Sequence, residues 1–287
     1  MNRTYLFAPG DHPRRVAKAL TLDTDAVILD LEDAVAPAAK VLAREAVRSA
    51  IAQPRRCRAY VRVNAFDTAL CFDDLLGIIG PGLDGVVLPK LEEPAQLIAL
   101  DWAMAALERA RGLAPGSIDL ISIIETARGH AALRDLAKAG AALGGRLRRM
   151  AFGGADYTLD LGITWTLEEA ELSPIRAEMV LASRAAGLEP PIDTVWIELR
   201  EAEAFARSCA RGAGLGFQGR LCIHPDQLAT ANAAYSPSPE AVAEARRIVA
   251  AFEGATTASI QLDGRFIDAP IFDRARRILA LDAKIAG

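Results

Sequence analysis

Short apolar runs that each end in a polar residue recur along this chain, and that rhythm restricts its fold more than any other feature. Val27-Ile28-Leu29 leads into Asp30-Leu31-Glu32-Asp33, and Tyr60-Val61 into Arg62-Val63-Asn64. Val86-Val87-Leu88 leads into Pro89-Lys90, Ile121-Ser122-Ile123-Ile124 into Glu125, and Met150-Ala151-Phe152 into Gly153-Gly154-Ala155-Asp156. Apolar runs of this length, bounded by turn signals, suit parallel strands covered on both faces. In a (β/α)8 barrel, chemistry gathers where the strands end, because the loops there converge over the mouth.

Strands are expected near residues 4–8, 26–30, 59–63, 85–88, 120–124, 149–152, 192–196 and 219–222. Helical patterns fall between them, over 13–22, 37–52, 94–111, 129–143, 174–186, 200–213 and 225–233. Eight strands with intervening helices favour an α/β fold of the (β/α)8 TIM barrel type over residues 1–235, with a C-terminal helical extension over 236–287. Alternation alone also allows an open doubly wound sheet. The 287 residues suggest two domains by length, but α/β barrels of about 250 residues fold as one. Ser236-Pro237-Ser238-Pro239 opens a helix near 238–252, and a last helix is expected near 270–284.

A net charge of −4, from 33 Lys and Arg against 37 Asp and Glu, predicts no general affinity for nucleic acid or anionic membrane. No apolar run is long enough to span a bilayer, and the first residues lack the apolar stretch of a signal peptide. Cys57, Cys71, Cys209 and Cys222 show neither close pairing nor metal spacing. They read as reduced residues of a cytoplasmic protein.

Glu125 and Asp156 end two successive strands, so their carboxylates can converge. Two carboxylates with positions left for water and substrate suit Mg²⁺, a hard cation that dehydrates reluctantly. Each acid could equally cap or salt-bridge a nearby helix; spacing leaves both readings open. Gly153, Gly154 and Ala155 carry little bulk, so substrate oxygens could approach backbone N–H groups there. Arg62 can grip a carboxylate in a bidentate pair, or pair with Glu32 or Asp33 across the mouth. Among Asp30, Glu32 and Asp33, at least one is expected to anchor a hydrogen bond or to meet water on the metal. Lys90 could form a Schiff base, although a salt-bridged lysine is the commoner outcome at a strand end. His224 is expected to orient a loop, and Gly212-Ala213-Gly214-Leu215-Gly216 to form a helix-to-strand turn rather than a nucleotide site. Arg14, Arg15 and Lys18 could meet nucleotide phosphates or form a solvated helix face.

Taken together, Tyr5-Leu6-Phe7-Ala8-Pro9-Gly10, Asp30-Leu31-Glu32-Asp33-Ala34-Val35, Val61-Arg62-Val63-Asn64 and Asp84-Gly85-Val86-Val87-Leu88-Pro89-Lys90 resemble the citrate lyase β-subunit-like proteins. So do Ile124-Glu125-Thr126-Ala127, Phe152-Gly153-Gly154-Ala155-Asp156, Ile223-His224-Pro225-Asp226-Gln227 and Gly264-Arg265-Phe266-Ile267-Asp268-Ala269-Pro270. That group belongs with the malyl-CoA and citramalyl-CoA lyases. The resemblance runs along nearly the whole chain. It implies a barrel, usually a homotrimer, with Mg²⁺ on Glu125 and Asp156. It implies an acyl-thioester substrate of the citryl, malyl or citramalyl type, on CoA or an acyl carrier protein, cleaved to a 2-oxoacid and an acyl-thioester. Arg62, with Gly154 and Ala155, would bind the oxoacid; Glu32 and Asp33 stand as catalytic candidates beside it. Asp268 would reach a neighbouring subunit's site and handle the proton. A class II aldolase acting on an aldehyde, or a non-catalytic oxoacid-binding subunit, are the alternatives.

Overall fold

The computed structural model describes residues 2–255 and 257–286. Seven parallel strands form its sheet: β1 (Thr4–Pro9), β2 (Ala26–Asp30), β3 (Arg58–Arg62), β4 (Gly85–Leu88), β5 (Asp119–Ile124), β6 (Leu147–Phe152) and β7 (Arg220–Cys222). Their order is β6-β5-β4-β3-β2-β1-β7. Successive strands therefore lie side by side with helices between them, as short, right-handed crossovers dictate.

Alternate side chains of these strands go to two apolar layers. Val27 and Leu29 of β2 join residues of the surrounding helices, such as Val16, Val47, Leu75 and Leu97. Ala26 and Ile28 join Tyr5, Tyr60, Val87, Ile121, Ile123, Ala151, Ile192 and Leu221 in a layer built from strand and strand-end residues. The sheet is thus curled around this second layer, with its helices outside. Burial on both faces is why the strands read as continuous apolar runs.

The eighth strand expected over 192–196 is not formed, so the expected eight-stranded ladder is corrected to seven strands. Ile192 and Asp193 alone reach the sheet, by single bridges to Ala151 of β6 and Arg220 of β7. Pro190 and Pro191 precede them, and a residue without an N–H cannot extend a ladder. Asp193 donates its N–H to Gly219 O and accepts from Leu221 N, each at 2.9 Å, and is held through its side chain as well. Its fully buried carboxylate accepts hydrogen bonds from Arg176 Nε and Arg220 Nη1, each at 2.9 Å.

Two helices went unread in the sequence, Cys71–Ile78 and Gly154–Leu161. The second starts directly after β6, so Asp156 sits in the first turn of a helix rather than in a loop. Gly212–Gly216 closes the helix Ala202–Leu215, with Gly216 in the left-handed region at φ 108°. All four cysteines are free and buried. No helix among the described residues is long and apolar enough to cross a membrane.

The C-terminal extension is not purely helical. The helix Pro239–Glu253 is followed by an antiparallel hairpin, β8 (Ser259–Leu262) and β9 (Arg265–Asp268), and then by the helix Ala269–Ala286. Ala245, Ile248, Ile267 and Ala275 form a small core of their own. Phe252 and Phe272 stack at 4.7 Å beside it. The apolar residues around Asp268 thus find part of their cover within the same chain, while Phe266 stays 64% exposed.

Candidate active site

A cavity of about 520 Å³ opens at the C-terminal ends of the strands. Phe7, Asp30, Arg62, Glu125, Gly154, Ala155, Asp156 and Thr194 are among its walls. The parallel register explains the central pair. Asp30 and Arg62 are direct partners across β2 and β3. Arg62 donates from Nε to Asp30 Oδ1 at 2.8 Å and from Nη2 to Oδ2 at 2.6 Å. Nη1 lies 2.9 Å from Glu32 Oε2 and 4.0 Å from Asp33 Oδ2. The Glu32 contact is an ion pair whose angle does not make a hydrogen bond. One face of the guanidinium rests 5.0 Å over the Phe7 ring. A guanidinium has five N–H donors, so an edge of Arg62 is left for a ligand carboxylate.

The acids behind Arg62 divide their work. Burial pushes the Asp30 carboxyl up, but the charge and hydrogen bonds of Arg62, and the amides of Glu32 and Ala34, hold it below the usual range. Asp30 is the principal clamp on Arg62, a role the sequence reading left unassigned among three acids. Glu32 faces Arg62 and Lys90 and is absent from the cavity wall, whereas Asp33 lines it. Burial raises Glu32, and its two cations only partly offset this.

Lys90 is no Schiff-base nucleophile in this arrangement. Its Nζ lies 2.5 Å from Glu32 Oε1 and 3.7 Å from Asp33 Oδ2. Burial pulls its ammonium down, but the hydrogen bond and charge of Glu32 outweigh this and hold it protonated. Its backbone matters more. Lys90 has a left-handed φ of 50°, uncommon for a residue with a side chain, and its N–H donates to Glu125 Oε1 at 2.8 Å.

Glu125 is buried beside Asp156, and that N–H is its one hydrogen bond among the described residues. Burial, reinforced by the charges of Asp156 and Glu32, pushes it up to about 8 despite Arg62. Such a carboxylate is short of positive charge, which a divalent cation would supply. Among the described residues, no group of three or more His, Cys, Asp or Glu is placed to hold a metal alone. The donor set therefore fits a cation content with two carboxylates plus water and ligand oxygen, as Mg²⁺ is.

The sign of the Glu125 shift gives a test. Between its unfolded value near 4.5 and about 8, the folded metal-free protein holds a proton that the unfolded chain has lost. Its stability should therefore fall as pH rises through that window and level off above it. Glu125→Gln should remove that component. Thermal unfolding of both proteins in EDTA from pH 5 to 8.5 checks this; parallel curves would show that Glu125 titrates normally.

The glycines act differently from expectation. A Cβ on Gly153 would come 2.3 Å from Glu125 Oε2, so Gly153 is what lets that carboxylate lie across the turn. Gly154 does not offer its amide to a ligand, because it donates to Thr194 Oγ1 at 2.7 Å. Thr194 is a site residue that sequence reasoning missed. So is Lys40, a buried ammonium that donates to Leu31 O at 2.7 Å, Glu32 O at 3.0 Å and Asn64 Oδ1 at 2.7 Å, fixing the acid loop from behind. His224 accepts from the Asp226 amide and caps the short turn Pro225–Gln227, as expected of a loop-orienting residue. Asp268 is not in the cavity wall of its own chain; its Oδ1 accepts from Ile271 N at 3.3 Å.

A curled parallel sheet with an Arg–carboxylate clamp and a paired-carboxylate pocket at its strand ends defines the class of α/β enzymes that carry their site where parallel strands end. The chain belongs to the HpcH/HpaI aldolase/citrate lyase family, whose model matches residues 3–225, and it is thereby a carbon–carbon lyase by class. It is 33% identical over 283 residues to the citrate lyase subunit beta of Escherichia coli (strain K12), covering 97% of this chain and 92% of that one. It is 34% identical over 304 residues to the L-malyl-CoA/beta-methylmalyl-CoA lyase of Cereibacter sphaeroides, covering 97% and 93%. Among solved structures it is similar to the protein CitE from Mycobacterium tuberculosis in complex with magnesium, acetoacetate and coenzyme A, with a TM-score of 0.78 and 32% identity over 98% of each chain.

Proposed function

We propose that this protein is a Mg²⁺-dependent lyase that cleaves a 3-hydroxy-3-carboxy acyl-thioester into a 2-oxoacid and an acyl-thioester. The observation that carries this reading is the meeting of Arg62, Glu125 and Asp156 on one cavity. Glu125 and Asp156 would hold the ion; when bound, Mg²⁺ supplies Lewis-acid stabilisation of the charge that builds on the substrate hydroxyl oxygen. Arg62 holds the carboxylate of the substrate and then of the oxoacid product. Asp30 and Glu32 fix the guanidinium plane, so little ordering remains to be done on binding. Lys90 orients Glu125 through its amide. In this reading the single bridges of Ile192 and Asp193 stand in for the eighth strand of a barrel.

A second cavity, of about 460 Å³, shares Phe7, Ala8, Pro9, Arg15 and Ile223 with the first and adds Lys18. It supports a path for the thioester arm, with Arg15 and Lys18 available to phosphates; Arg14 is not among its walls. The coenzyme A and the acetoacetate held by the Mycobacterium tuberculosis relative support a CoA thioester. In this reading residues 1–235 form the catalytic unit and residues 236–287 reach a neighbouring subunit in a trimer. Asp268 from that neighbour protonates the thioester enolate left when the carbon–carbon bond breaks.

Purified protein with Mg²⁺ and malyl-, citramalyl- or citryl-CoA tests the reading by release of free 2-oxoacid. Cleavage of none, alongside turnover of a 2-oxoacid with an aldehyde, would make it a class II aldolase instead. Arg62→Lys keeps the charge but loses the planar fork, so it should weaken oxoacid binding by about 1.5–3 kcal/mol. Calorimetry with Mg²⁺ present measures this; unchanged affinity would leave Arg62 as the partner of Asp30 and Glu32 alone.

A further inference from the structure

We infer that Thr194 is a positioning residue of the metal site: its hydroxyl caps, from a distant segment, the helix that carries Asp156. The inference rests on the reading that Glu125 and Asp156 hold the ion. It extends that reading to a residue that does not hold the ion itself.

The first N–H groups of a helix lack partners within it, and a Ser, Thr, Asp or Asn side chain at the N-cap commonly takes one of them. The helix Gly154–Leu161 has Gly153 at that position, with no side chain to offer. Glu125 bars anything larger, since a Cβ there would lie 2.3 Å from its Oε2. The acceptor comes from elsewhere in the chain: the Gly154 N–H donates to Thr194 Oγ1 at 2.7 Å. Gly154 in turn has to be small, because its own Cβ would stand 2.8 Å from that oxygen. Asp156 follows in the same first turn, so this bond sets where its carboxylate stands relative to Glu125.

Thr194 is itself held in place. It is fully buried, and its N–H donates to Asp193 Oδ1 at 2.9 Å. Arg176 Nε shares that oxygen, while Arg220 bonds to Asp193 Oδ2 and, through Nη2, to Val195 O at 3.3 Å. Arg176 also reaches Glu169, whose carboxylate accepts from Ser208 and Arg211 as well. Arg176, Arg220, Glu169 and Asp193 are all fully buried. Ion pairs buried in this way are often no more stabilising than apolar residues of equal volume. What their directional bonds supply here is a fixed place for residues 193–195, and so for the Thr194 hydroxyl. Mg²⁺ demands near-ideal octahedral geometry, so a small displacement of Asp156 costs affinity.

Titration of the intact protein with Mn²⁺ alone, an ion of the same oxygen preference, tests this through loss of the free-ion electron paramagnetic resonance signal. Thr194→Val keeps the volume and removes the acceptor. It is expected to weaken Mn²⁺ binding by about 10- to 100-fold, the usual worth of a side chain that orients a metal ligand. Thr194→Ser retains the hydroxyl and should bind as the wild type does, a rescue that a packing role of the methyl group would not give. Gly154→Ala leaves Thr194 intact but pushes the helix start away from it, and should weaken binding as Thr194→Val does; it decides the matter if Thr194→Val fails to fold. Undiminished binding in Thr194→Val or Gly154→Ala, or a Thr194→Ser as weak as Thr194→Val, overturns the inference and leaves the lyase reading standing. A wild-type protein that binds no Mn²⁺ overturns both.

Discussion

Glu125→Gln and Asp156→Asn are each expected to lower metal-dependent cleavage by about a thousand-fold or more while leaving the fold intact. Lewis-acid stabilisation contributes several kcal/mol, and each 1.36 kcal/mol is about a factor of ten in rate. The fold should survive because neither substitution removes a contact between elements. Glu125 receives one backbone hydrogen bond, from Lys90, which a Gln oxygen can also accept. Burial already disfavours its charge in the metal-free protein, so the neutral isostere relieves that cost. Steady-state rates across a Mg²⁺ titration, with unfolding temperatures measured alongside, decide the matter. Full activity in either variant, or in excess EDTA, would remove the metal from the mechanism.

Asp268→Asn is expected to lose about 10²- to 10⁴-fold in cleavage, the usual worth of a positioned general acid, and to keep Mg²⁺ and oxoacid binding. The substitution is mild within its own chain. Asp268 accepts from the Ile271 amide at the start of the helix Ala269–Ala286, and Asn serves as well as Asp at such a position. A large loss would therefore point to a role outside its own chain, since Asp268 is absent from that chain's cavity wall. Completion in trans makes a second demand. Asp268→Asn mixed with Arg62→Ala, unfolded and reassembled together, should regain part of the activity, because some sites then receive both intact residues. A monomer by light scattering, or mixed assemblies with no recovery, would refute it.

Much of the site was legible because its position is a local property. A residue that follows a buried strand must emerge at the strand's end, so Arg62, Glu125 and Asp156 could be placed at one mouth from the pattern alone. The clamp on Arg62 was not legible in the same way. Asp30, Glu32 and Asp33 are equivalent as letters, and only the β2–β3 register sets Asp30 opposite Arg62. Thr194 and Lys40 were missed for a related reason. Each acts through a backbone group far away in sequence or behind a loop, Thr194 on the Gly154 amide and Lys40 on the Leu31 and Glu32 carbonyls. Neither leaves a spacing signal. The left-handed turn at Lys90 carries no glycine to announce it.

Period and composition by themselves determined the α/β class, the order of the elements, and the residues at the strand ends, because apolar periodicity and turn chemistry act within a few residues. Tertiary structure decided the rest. It reduced the segment after Pro190 and Pro191 to two bridging residues, Ile192 and Asp193, whose backbone groups bond to the strands on either side while buried Arg176 and Arg220 hold the Asp193 carboxylate. It also started a helix at Gly154, so that Asp156 meets Glu125 from a first helical turn. Those outcomes depend on which charges are buried together, and burial is fixed only when distant segments pack.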